Sequence, residues 1–158
     1  MLMRLRPEHT DALKSLFSVI RNDTSAAKFH PHDFWEEDAQ RFANYTGQDI
    51  YAGYFSEAND MIAYGMLRGI DDGFRIPSLG IYVIPDARGR GVSREVMNGL
   101  HFMARTELGA SKVRLKVYSD NLPALNLYQK MGYQFETGEG DELVGVISLA
   151  DDAFFKPG

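Results

Sequence analysis

The chain has 158 residues, a formal net charge of −5, 44% hydrophobic and 25% charged residues, and no cysteine. That length suits one domain spanning residues 1–158. The acidic balance argues against a nucleic-acid partner, and the missing thiols exclude disulfides, thiolate metal sites and cysteine nucleophiles. No apolar stretch approaches the ~20 residues that cross a bilayer, and "MLMRLRPEHTD" lacks the apolar core of a secretory leader. A cytoplasmic protein with no membrane partner, monomeric or homodimeric, is therefore expected.

Met1 to Arg6 alternates apolar and basic residues and reads as a strand. Pro7 suits a first helical turn, and Leu13, Leu16, Phe17 and Ile20 carry helical spacing over Glu8 to Ile20. A polar loop, "RNDTSAAKFHPHD", precedes a second helix from Phe34 to Tyr45, whose first turns are acidic and complement the macrodipole. Ile50 to Phe55 and Met61 to Ile70 read as a hairpin around "SEAND". After the turn "DDG", Pro77 to Ile84 is a strand, apolar enough for both faces to be buried. Val92, Val96, Leu100 and Met103 mark one face of a helix from about Gly91 to Glu107, which Gly109 ends. "KVRLKVY", Lys112 to Tyr118, alternates as a half-buried strand. A last helix is capped by Asp120 or Asn121, has Pro123 near its start and stops at Gly132. Tyr133 to Thr137 and Leu143 to Leu149 close the chain as strands around "GEGD". The order predicts a mixed α/β fold: a largely antiparallel sheet of about seven strands flanked by about four helices.

The strand-to-helix junction "VIPDARGRGVSREVM", Val83 to Met97, concentrates arginine and glycine in an acidic protein. A sharp turn into a helix exposes backbone N–H groups beside the positive end of the helix dipole, which makes an anion site. Gly89 and Gly91 allow close approach to the backbone, and Arg88 and Arg90 add charge suited to phosphate. The loop lacks the GK[ST] of a Walker motif and the spacing of a dinucleotide fingerprint.

Two motifs together resemble the acetyl-CoA-binding core of the GNAT superfamily of N-acetyltransferases. The first is Val83-Ile84-Pro85 followed by Arg88-Gly89-Arg90-Gly91-Val92-Ser93, against the family's V-x-P strand end and [QR]-x-x-G-x-[GA] loop. The second is Asn121, Ala124, Tyr128, Gly132 and Tyr133, against N-x-x-A, a tyrosine and a closing Gly-Tyr/Phe. Ser93 stands where the family usually has Gly or Ala, a sterically acceptable exchange whose hydroxyl could itself donate to phosphate. The firm resemblance covers about Leu79 to Phe135.

The resemblance implies acetyl-CoA as cosubstrate, no metal, and direct transfer of the acetyl group to an amine. It implies that the backbone of Ile81, Tyr82 and Val83 pairs with the pantetheine arm and that the N–H groups of Arg88 to Ser93 cradle the pyrophosphate. Asn121 then contacts the pantetheine or caps its helix, and Tyr128 protonates the departing thiolate. An O–H donor near a thiolate of pKa near 8.5 lowers the cost of that charge. The general base is not evident, because the strand before the loop carries no carboxylate. Ser78 is its only polar side chain that could face an acceptor. His30, His32 and Asp33, and Asp71 and Asp72, are candidates for a relay through water. His30-Pro31-His32-Asp33 lacks a third clear ligand and is not a metal site. The acceptor expected is a small-molecule primary amine. A weak likeness of "IPSLGIYV" and "HPHDFW" to family members acting on amino sugars makes such a sugar one candidate. A peptide or protein amine is the alternative acceptor, and a non-catalytic acyl-CoA sensor is the alternative class.

Overall fold

Where apolar residues recur at helical or alternating spacing, the corresponding element forms in the computed structural model, which describes residues 1–149. The elements are β1 (Leu2–Arg4), α1 (Thr10–Asn22), α2 (Glu36–Ala43), β2 (Ile50–Phe55), β3 (Met61–Arg68), β4 (Ser78–Val83), α3 (Val92–Thr106), β5 (Lys112–Tyr118), α4 (Leu122–Met131), β6 (Gln134–Thr137) and β7 (Glu142–Ser148). One 3-10 turn, Pro7–His9, leads into α1, and two more lie at Thr24–Ala26 and Pro85–Ala87. The seven strands form one mixed sheet in the order β1-β2-β3-β4-β5-β7-β6. β1 runs antiparallel to β2, and β7 runs antiparallel to both β5 and β6, whereas β4 and β5 are parallel. Residues 150–158 of the expected domain lie outside the described residues.

Contacts cluster into two units. Among the described residues, the first comprises residues 1–66 and 80–99; the second comprises residues 67–79 and 100–149. In the first, α1 buries Leu13, Leu16, Phe17 and Ile20, an i, i+3, i+4, i+7 stripe. These pack with Phe34, Phe42, Tyr64 and Met66. In the second, β5 buries Val113, Leu115 and Val117 and leaves Lys112 and Lys116 exposed, the alternation of a sheet with one wet face. Leu100, Ala104, Leu125 and Tyr133 are buried in the same unit.

The β4 strand departs from the expectation of two buried faces. Leu79, Tyr82 and Val83 are buried, but Ser78, Gly80 and Ile81 are only partly so. Gly80 offers no side chain to bury, and Met66 fills the space a Cβ there would need, 3.2 Å away. The parallel pairing with β5 is Ser78↔Arg114, with the Arg114 N–H donating to Pro77 O at 3.0 Å.

β7 contains one steric constraint that the sequence pattern does not announce. Gly145 lies opposite Phe135 in the β6–β7 register, and a Cβ on Gly145 would sit 2.6 Å from the Phe135 ring. Gly145→Ala should therefore destabilise the protein by about 1–3 kcal/mol, the cost of overpacking a fitted contact. Urea denaturation checks this. Combining it with Phe135→Leu should cost less than the sum of the two single changes, because the smaller side chain relieves the clash.

Candidate active site

The turn into α3 is built by its glycines. Gly89 and Gly91 adopt φ of 77° and 81°, the left-handed region that disfavours a side chain. A Cβ at either would meet nothing within 4 Å. These glycines therefore serve backbone geometry and leave open space beside the main chain. Alternating left-handed residues turn successive N–H groups to one side and form an anion-binding concavity. By helix geometry the first-turn N–H groups of α3 have no acceptor within the helix; the Glu95 N–H reaches back to Gly91 O at 3.2 Å. The Tyr54 hydroxyl donates to the Glu95 carboxylate, so β2 holds this first turn in place.

The Arg88 side chain is bonded on the inner side of the turn. Its Nε donates to Val83 O at 3.0 Å, Nη1 to Ser25 Oγ at 3.0 Å, and Nη2 to Asp23 Oδ2 at 2.9 Å. Tyr82 Oη donates to the same Asp23 oxygen at 2.7 Å, and the Arg88 guanidinium lies 5.6 Å from the Tyr82 ring centroid. Burial alone would raise the Asp23 pKa. The hydrogen bonds from Ser25, Tyr82 and Arg88 outweigh it and hold the carboxyl at about 2. Burial and the Asp23 carboxylate push the Tyr82 phenol well above its ordinary range. Arg90, by contrast, is exposed at the turn itself.

α4 positions the second set. The Asn121 side chain accepts from the Ala124 N–H at 3.3 Å, so it caps the helix. The Tyr128 side chain is pushed by burial up to a pKa of about 12 and is neutral at pH 7. Among the described residues its hydroxyl has no hydrogen-bond partner. The Tyr133 ring lies 5.8 Å from it, centroid to centroid.

The base candidates fall in different settings. His32 Nδ1 lies 2.6 Å from Asp33 O, a carbonyl that can only accept, so Nδ1 carries the proton. Its Nε2 lies 2.8 Å from Tyr64 Oη, and its ring stacks on Phe42 at 4.1 Å. Both of its nitrogens are engaged within an aromatic cluster. His30 is exposed, with Nε2 3.3 Å from Asp33 Oδ1, which leaves Nδ1 toward solvent. Ser78 Oγ accepts from Arg114 Nη1 at 3.5 Å. Among the described residues no group of three His, Asp or Glu side chains is arranged to hold a metal. No helix among them is long and apolar enough to cross a membrane.

Sequence reasoning missed Asp23, which lies 65 positions from the arginine it binds, and it missed His101 on α3. His101 Nε2 lies 2.6 Å from Tyr133 Oη. Burial lowers the His101 pKa to about 4, so the ring is neutral, and its tautomer sets which of Nε2 and the phenol donates. No spacing rule links a helix residue to a partner beyond the next strand and helix.

Residues 13–133 match the acetyltransferase (GNAT) family. A stretch of 63 residues is 41% identical to mycothiol acetyltransferase of Rhodococcus opacus (strain B4); it covers 37% of this chain and 20% of that protein. The chain thus spans about a fifth of that relative's length. Among solved structures, mutant forms of the spermidine/spermine N-acetyltransferase SpeG from Vibrio cholerae superpose with a TM-score of 0.75 at 19% identity, over 94% of this chain and 93% of that one. The GNAT domain of S. lividans PAT gives a TM-score of 0.75 at 14% identity, over 94% and 89%. At such identities the likeness is one of fold.

The buried His101 makes stability depend on pH. Its folded pKa, about 4, lies below the unfolded value of 6.5, so its neutral form contributes stability above pH 6.5 that is lost as pH falls toward 4. The loss should approach about 3 kcal/mol. His101→Gln keeps an acceptor for Tyr133 but does not titrate. Chemical denaturation at pH 7, 5.5 and 4.5 should therefore show a much shallower decline in that variant than in the wild type.

Proposed function

Because the chain belongs to the acetyltransferase (GNAT) family, we propose that residues 1–158 act as one acetyl-CoA-dependent N-acetyltransferase domain. The observation that carries this reading is the open turn at Gly89 and Gly91 at the start of α3. Its free backbone donors suit a pyrophosphate, and a Cβ would occupy the space beside them. Acetyl-CoA supplies the thioester carbonyl that an amine attacks. Of the N–H groups of Arg88 to Ser93, that of Arg88 donates to Pro85 O at 3.2 Å; those of Gly89 to Ser93 hold the phosphates, and Arg90 adds charge. The backbone of Ile81, Tyr82 and Val83 orients the pantetheine arm. Asn121 and Ala124 set the start of α4, so the cap aligns the helix that carries Tyr128. The Tyr128 hydroxyl, neutral and without a hydrogen-bond partner among the described residues, gives its proton to the sulfur as the carbon–sulfur bond breaks. His30, oriented by Asp33, is better suited than His32 or Ser78 to pass the amine proton to water.

The acceptor in this reading is a primary amine of a small molecule. The fold neighbours named for spermidine and spermine support that class, and an amino sugar falls within it. A peptide or protein amine is the second reading; the exposed acids Asp33, Glu36 and Glu37 suit a cationic amine of either class.

The test has two parts. Gly91→Asp places a Cβ and a negative charge against the phosphates, on a backbone that already resists a side chain. CoA affinity by calorimetry should fall steeply while the fold persists, and an unchanged affinity would sink the loop assignment. Tyr128→Phe should lower kcat by ~10²–10⁴-fold, with little change in CoA affinity. Turnover is read as thiol release with spermidine, glucosamine and a peptide amine. CoA binding without turnover on any amine would favour the sensor reading.

A further inference from the structure

α4 ends in a stop motif that also touches the proposed acid. Gly132, at φ 110°, turns the chain in the left-handed region. Its N–H donates to Gln129 O at 3.1 Å, and the Tyr133 N–H donates to Tyr128 O at 3.0 Å. This pair of bonds is a Schellman motif, in which the residue two beyond the helix end packs on the residue three before it. Here those two residues are Tyr133 and Tyr128, with ring centroids 5.8 Å apart. The stop motif alone would leave the far end of Tyr133 free to swing. The hydrogen bond between Tyr133 Oη and His101 Nε2, 2.6 Å long, ties that end, and the two rings lie 5.6 Å apart. Tyr133 is 4% exposed, so the bond lies where a lost partner is costly.

We propose that Tyr133 and His101 are positioning residues for Tyr128: the hydrogen bond between them clamps the Tyr133 ring, and that ring fixes where the Tyr128 hydroxyl points. Neither residue touches a reacting atom in this scheme. The proposal rests on Tyr128 as the acid of the reaction proposed above. It adds that the family motif's closing position, which accepts Tyr or Phe, requires the hydroxyl in this chain because α3 presents a histidine to it.

A double-mutant cycle tests it, with kcat for acetyl transfer and KM for acetyl-CoA as readouts and the thermal midpoint as control. Tyr133→Phe keeps the ring and removes the clamp. It should lower kcat by roughly 10-fold to 100-fold, the scale of a misplaced catalytic group, and leave KM for acetyl-CoA unchanged. In a Tyr128→Phe background the same change should cost less than about twofold, because there is no acid left to position. His101→Gln keeps an acceptor and should stay within roughly threefold of wild type, whereas His101→Leu should behave like Tyr133→Phe. If Tyr133→Phe does not fold, His101→Leu takes its place in the cycle. Losses that multiply in the double variant would mean the pair only supports the fold, and would overturn the proposal. So would an unchanged kcat in Tyr133→Phe while Tyr128→Phe is impaired. An unimpaired Tyr128→Phe with chemistry rate-limiting overturns the acid assignment itself, and this proposal with it.

Discussion

The glycine turn before α3 depends on the fork of hydrogen bonds from Arg88. Two left-handed glycines with nothing packed beside them cannot hold one conformation by themselves, since glycine loses more backbone freedom on ordering than any other residue. Arg88 supplies the restraint from the first residue of the turn. Its planar guanidinium reaches three acceptors at once, on β4, on Ser25 and on Asp23, a geometry that a lysine ammonium cannot match. The Asp23 side chain is 9% exposed and is held ionised by Ser25, Tyr82 and Arg88 together. Arg88 itself is 43% exposed, so solvent screens the charge on its side, and the fork acts through the geometry it fixes more than through Coulomb attraction. The loop can remain bare on its outer side because it is tied on its inner side.

That tie reassigns charge within the turn. An arginine committed to a carboxylate presents little net field to an incoming anion. The positive character left at the turn comes from Arg90, from the unbonded N–H groups and from the start of α3. An anion held by backbone donors is held by shape, because the turn's conformation sets their direction. The acidic total of the chain is no obstacle, since the relevant field is local and screened beyond about 10 Å.

The elements were legible because their signals are local. Periodicity located α1 and β5, Gly132 marked the end of α4, and Asn121 was already one of two cap candidates. The boundaries shifted where a turn intervened. Pro7–His9 is a 3-10 turn, and α2 begins at Glu36, two residues later than expected, because the Asp38 carboxylate accepts from the Trp35 N–H and sets the start there. Partnerships were not legible. His32 reads as a polar loop residue, yet Phe17, Phe34, Phe42 and Tyr64 surround it, and the loop folds back onto the helix that precedes it. Asp23 looked like any acid in a turn, and His101 like the polar flank of an amphipathic helix. Each acquires its role from a residue at least 32 positions away, a distance at which sequence spacing carries no geometry.

The two tyrosines at the end of α4 show how burial can serve opposite ends. Both phenols are raised by desolvation, yet Tyr133 is bonded to His101 and Tyr128 has no hydrogen-bond partner among the described residues. An acid with a pKa of about 12 would seem a poor match for a thiolate near 8.5, since transfer between them is uphill by about 3.5 units in water. A thiolate forming beside the same buried phenol would lose its water too, and desolvation raises its pKa in the same direction. What matters is the difference between the two groups within one environment, which is smaller than the difference between one group in the protein and the other in solution. A hydroxyl already bonded to a histidine would have to break that bond before serving the sulfur, and would forfeit most of the gain. In the proposed reaction, committing Tyr133 is therefore compatible with catalysis only because no group among the described residues holds the Tyr128 hydroxyl, which is aimed by what packs against its ring.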